Sequence, residues 1–164
     1  MIINKQANFT KDVAKKTITV DKDFDAPLED VWRAWTESEL LDQWWGPKPW
    51  KAVTKSMDFR EGGHWQYAMV GPDGDKQWCR EEFKAIVKHK SISFKNAFCD
   101  EQGNINNSFP VMQWKAEFLQ EGDTTKVVIT ITFSSEEELN TIVEMGFQEG
   151  FTAGLGNLDE LLAK

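Results

Sequence analysis

From Leu139 onward the apolar residues recur at steps of three and four: Leu139, Ile142, Val143, Phe147, Phe151, Leu155, Leu158, Leu161 and Leu162. That spacing predicts one amphipathic helix over about 136–163, with Ser134 or Ser135 as its cap and Glu137 and Glu138 in its first turn. At about 1.5 Å per residue such a helix is roughly 40 Å long, enough to cross a whole sheet. Gly146, Gly150 and Gly154 form a stripe on it, and each costs a helix interior about 1 kcal/mol relative to Ala. Two readings of the stripe stay open: very close packing on that face, or space left for a ligand.

What precedes the helix reads mostly as strands and turns. Ile18, Val20 and Phe24 alternate, with a gap at Lys22, and predict a first strand over 16–24. Pro27, Glu29 and Asp30 suit a helix start, and Leu28, Val31, Trp32 and Trp35 follow at helical spacing. A second short helix carries Leu40, Leu41, Trp44 and Trp45 and is stopped by Gly46-Pro47-Lys48-Pro49. Strands are then expected over 51–59, 64–70, 77–88, 91–98, 110–119 and 126–133, joined by turns such as Gly71-Pro72-Asp73-Gly74 and Glu121-Gly122-Asp123. The first of these rests on Val53, Met57 and Phe59 facing one way. Short connections mean antiparallel neighbours.

One helix cannot cover both faces of about seven strands. The expected fold is therefore α+β: a curved antiparallel sheet wrapped around the C-terminal helix, with two short helices closing one end. Residues 1–15 read as a polar lead-in and 16–164 as a single domain.

Eight Trp and eleven Phe against one Tyr supply either an aromatic core or the wall of a pocket. The candidates for a cavity wall are Trp65, Tyr67, Met69, Trp78, Phe94 and Met112 on the sheet, with Trp114, and Phe147, Gly150 and Phe151 on the helix. A net charge of −8 argues against nucleic acid and anionic membrane as partners. No stretch has the length of a signal-peptide core or a membrane span. Cys79 and Cys99 lack the pattern of a disulfide framework or a zinc site, and read as reduced thiols of a cytoplasmic protein. Neither His64 nor His89 has metal-ligand spacing, and no phosphate loop or nucleophile elbow occurs, so no metal or cofactor is expected.

Chemistry has weak candidates in Arg80, Glu81, Glu82 and His64. The alternation of 77–88 is ambiguous: either Arg80 with Glu82, or Glu81 alone, faces inward. A carboxyl in an apolar pocket has a raised pKa and can serve as a general acid or base. The bland alternatives are a solvent-facing charge pair at a strand edge and, for Asp58 and Arg60, a structural ion pair near Gly62-Gly63.

Five segments together resemble a known family. They are Phe24 to Thr36, Trp44-Trp45-Gly46-Pro47, Met57 to Trp65, Gly71 to Gly74, and Gly146 to Phe151 followed by Leu158 to Leu162. In this order and spacing they resemble the START-like (SRPBCC), helix-grip superfamily, and within it the branch of the Hsp90 ATPase activator homologues. The resemblance covers about 16–163. It implies a helix-grip fold and a hydrophobic small molecule held between sheet and helix. It also leaves open an interaction protein with a chaperone partner, an enzyme of cyclase or hydrolase type, and a homodimer formed through an outer strand.

Overall fold

A computed structural model describes residues 6–164. Its elements are, in chain order, β1 (Asn8–Asp12), β2 (Thr17–Phe24), α1 (Leu28–Thr36), α2 (Ser38–Trp44), β3 (Lys51–Asp58) and β4 (His64–Val70). There follow β5 (Lys76–Val87), β6 (Ser91–Phe98), β7 (Met112–Glu121), β8 (Thr124–Thr132), α3 (Glu136–Glu144) and α4 (Phe147–Leu162). The strands form one antiparallel sheet in the order β1-β2-β8-β7-β6-β5-β4-β3.

Period-two alternation explains the core. Ile18, Val20 and Phe24 of β2, Ala116 and Phe118 of β7, and Val127, Ile129 and Ile131 of β8 are all buried on the concave face. Leu139, Ile142, Phe151, Leu155 and Leu158 come down on them from the helical side, so the apolar stripe of the closing segment is what the sheet wraps. Ser135 provides the cap, its Oγ accepting from the Glu138 N–H at 3.1 Å.

The architecture matches the expectation, with three corrections. The sheet has eight strands instead of about seven, because Asn8–Asp12 within the supposed lead-in adds an edge strand to β2. Its sequence, NFTKD, has one large apolar side chain, too few for a period to be read.

The closing segment is two helices, not one. At Gly146 the backbone turns left-handed (φ 86°), which glycine adopts without the Cβ penalty. Periodicity ran straight through the break because the same face of both helices is buried.

Val53 faces outward and is exposed. A β-bulge between Thr54 and Ser56 shifts the phase of β3 by one residue, so Ala52 and Thr54 face inward before the bulge and Met57 after it.

The gap at Lys22 has its own explanation. Its side chain is buried among apolar neighbours, with Nζ 2.9 Å from Asp159 Oδ2 and 5.0 Å from the centre of the Phe24 ring. The pair ties β2 to the last turns of α4.

Candidate functional site

The sheet's concave face does not meet α4 everywhere. Where β4 to β7 diverge from the start of α4, an apolar cavity of about 380 Å³ remains. Its third wall is the segment after α2, through Trp45, Pro47 and Trp50. Gln77 and Met145, both exposed, stand at its mouth.

Of the residues singled out from sequence, Tyr67, Met69 and Met112 line the cavity from the sheet. Trp114 joins them, and Phe147, Gly150 and Phe151 line it from α4. The other three lie elsewhere. Trp65 is buried beside the cavity, its ring stacked on Tyr67 at 4.0 Å, with its Nε1–H donated to Thr54 Oγ1. Phe94 is buried deeper, between Phe83 and Trp114. Trp78 sits on the convex face, where Lys55 Nζ lies 5.7 Å from its ring.

The cavity is also lined by Trp45, Pro47, Trp50, Cys79, Asn96 and Phe98, which the sequence reading did not name as its wall. Asn96 was legible in principle, since it is two positions from Phe94 and shares its inward face, whereas Cys79 shares the face of Glu81, which alternation left open. Trp45 gave no such signal, because it follows the end of α2 and its direction depends on the turn into Pro47.

The glycine stripe divides between its two readings. A Cβ at Gly154 would lie 3.3 Å from the Trp45 carbonyl oxygen, so that position is close packing of α4 on the end of α2. At Gly150 the nearest atom would be Pro47 Cγ at 3.9 Å, and this position borders the cavity. Gly146 is the break itself.

Polar groups gather at the floor. Register places Tyr67 opposite Cys79, and Glu81 opposite Asn96. Trp45 Nε1–H donates to the Tyr67 hydroxyl at 2.9 Å, and Asn96 Nδ2–H donates to Glu81 Oε2 at 3.4 Å. Glu81 is therefore the inward residue of β5, with Arg80 and Glu82 on the other face. Its carboxyl is pushed well above the ordinary carboxylate range by burial, which the Asn96 hydrogen bond only partly offsets. Burial likewise pushes the Cys79 thiol up to about 12, so at neutral pH it is a thiol and not a nucleophilic thiolate. Trp114 is 4% exposed, and its Nε1–H finds no acceptor among the described residues.

The remaining chemical candidates are on the convex face. Burial, and then the Arg80 charge, lower the pKa of His64, whose Nε2 is 2.8 Å from Ser56 Oγ. Glu82 bridges Arg80 and Lys95 at 3.3 and 3.2 Å, and Asp58 pairs with Arg60 at 2.8 Å. Thus Arg80, Glu82 and His64 are separated from the cavity by the sheet, and Glu81 lies behind Asn96 and does not line it. Among the described residues no group of His, Cys, Asp and Glu could hold a metal ion. No helix among them is long and apolar enough to cross a membrane.

Comparison with known proteins gives the family. Protein Ms6760 from Mycobacterium smegmatis, seen in a crystal structure, is 30% identical, with 96% of this chain and 97% of that one covered and a TM-score of 0.89. A protein from Arthrobacter aurescens, solved by NMR, is 31% identical, with coverage of 95% and 91% and a TM-score of 0.90. Protein NE0264 from Nitrosomonas europaea is 27% identical, with coverage of 92% and 96% and a TM-score of 0.80. No match is found among curated proteins. The model of one family, described as activator of Hsp90 ATPase homolog 1-like protein, matches residues 25–163, from just after β2 to the end of α4, and the chain belongs to that family.

Proposed function

We propose that this chain binds a hydrophobic small molecule in the cavity between β4–β7 and α4. One observation carries the reading: the cavity is apolar, opens to solvent, and is lined by indole, phenyl and thioether groups with no charged side chain among its described lining residues. Its volume falls in the range of small-molecule sites, about 300–1,000 Å³. The charged residues considered for catalysis all lie outside the lining, which favours binding over chemistry at those residues.

The test uses Gly150. A Leu side chain there would project into the cavity, while the helix gains a better helix former. Native mass spectrometry of gently purified protein is expected to find a non-covalent adduct on the wild type that Gly150→Leu lacks, with the variant at least as resistant to thermal unfolding. Equal adducts on both proteins would place the molecule elsewhere. If neither carries one, and neither binds any of a panel of apolar compounds, the reading fails.

A further inference from the structure

We infer that Gly71, which does not line the cavity, sets how broad a ligand the cavity accepts, by letting the indole of Trp50 lie flat against the Gly71 backbone. Gly71 is a positioning residue that acts through Trp50. The inference rests on the cavity-binding reading and adds to it a determinant of ligand breadth.

Register explains why the two residues meet. Lys51 pairs with Val70 at the last rung between β3 and β4, so Trp50 and Gly71 stand opposite one another just beyond it. Trp50 lines the cavity and Gly71 does not. A Cβ on Gly71 would lie 2.9 Å from Trp50 Cη2, 3.0 Å from Cζ2 and 3.1 Å from Cζ3. Near-equal distances to three ring carbons place that Cβ over the face of the indole and not beyond its edge. One face of the ring thus rests on Gly71, and the other is left for the cavity.

The turn from β4 to β5 does not itself require this glycine. Gly74 has a left-handed φ of 86°, whereas Gly71 lies outside that region. Alanine therefore suits the Gly71 backbone, and what opposes it is the indole. The backbone is the stiffer of the two. Gly71 N–H donates to the Asp75 carbonyl at 2.8 Å, and the Gly71 carbonyl accepts from Gly74 N–H at 3.0 Å. Trp50 is a half-exposed side chain at the end of the segment after α2. A methyl group at position 71 moves the indole by about 0.5 Å or more to reach ordinary contact distance, and the open side is the cavity. The wall then advances on an occupant. A flat molecule can tilt away from it. A molecule with a second ring out of plane cannot, and is penalised as in an overpacked core.

Two neutral fluorescent probes test this. One is 1-naphthylamine, a flat double ring; the other is N-phenyl-1-naphthylamine, the same double ring with a phenyl group twisted out of its plane. Both are titrated at pH 7.5 into the wild type, Gly71→Ala, Trp50→Leu and the double variant, with excitation beyond tryptophan absorption. Gly71→Ala is expected to weaken the phenyl-bearing probe about tenfold and 1-naphthylamine about twofold or less. This change in selectivity decides by itself: equal losses of the two probes, or no loss of either, would overturn the inference and leave the cavity reading standing. In the Trp50→Leu background Gly71→Ala is expected to shift either affinity by no more than about twofold. A tenfold effect that persists without the indole would show that Gly71 acts through the turn, which also overturns the inference. If the wild type binds neither probe, the inference and the cavity reading fail together.

Discussion

At Glu81 the surroundings, not the residue type, decide the charge. The alternation of β5 left two choices for which side chains face inward, because charged and apolar residues are mixed along it. The register resolves it: Glu81 sits opposite Trp65 on one side and Asn96 on the other, inside the sheet. Burial raises its pKa, so the folded state keeps a proton that the unfolded chain loses above the ordinary carboxylate range. This contribution to stability is fully present at low pH and declines as pH rises. Gln at this position keeps the shape and does not titrate. Glu81→Gln is therefore expected to match the wild type near pH 4 and to become more stable above it. The gap should grow by about 1.4 kcal/mol per pH unit until Glu81 ionises in the fold. Urea denaturation at pH 4, 6 and 8 measures this, and a constant offset across the three would refute it. Lining residues such as Tyr67 and Trp114 were legible as one face of a strand. What periodicity could not separate was that face from its depth: Phe94 and Trp65 share the face yet pack behind the cavity.

Elements were easier to read than their ends. The strands from β3 to β8 announced themselves by alternation and turn residues, and the two tryptophan-bearing helices by spacing and by Gly46-Pro47. The break between α3 and α4 was hidden, because a helix can restart after one left-handed residue without losing its phase. Its glycines now have distinct expected effects. A Cβ at Gly146 would meet only Glu149 Oε2 at 3.8 Å, so the cost of Gly146→Ala is backbone strain, about 1–2 kcal/mol. Gly156 lies within α4 with nothing within 4 Å of a Cβ, so Gly156→Ala should stabilise by about 0.5–1 kcal/mol. Thermal unfolding of the two variants should move the midpoint in opposite directions. A stabilised Gly146→Ala would mean that the α3–α4 junction is a continuous helix in solution.

At the scale of the whole molecule, the sheet and the closing helices are joined by apolar burial and, among the described residues, by the buried ion pair of Lys22 with Asp159. Burial pushes the Asp159 carboxyl up, and the hydrogen bond from Lys22 only partly reverses this. Removing one partner leaves an uncompensated charge, whereas removing both does not. Lys22→Met is expected to cost about 3 kcal/mol, and adding Asp159→Leu to restore most of it. A double variant as unstable as Lys22→Met would show that the lysine matters through other contacts. The sequence announced this tie only as a missing apolar residue in β2, since its partner lies at the far end of the chain.

Phe9 gives the polar edge strand β1 a further significance. Its ring meets Phe147 at 6.3 Å and Phe151 at 6.5 Å, two of the rings that wall the cavity. Yet β1 and β2 both precede residue 25, where the match to the family begins. The stretch that identifies the chain is thus shorter than the stretch that folds. A fragment trimmed to the match would strip β8 of its neighbour, turn an interior strand into a bare rim open to self-association, and unseat the aromatic wall from behind. Expression boundaries for this protein belong ahead of Asn8, and the same holds for any relative in which the opening hairpin leans on the closing helix.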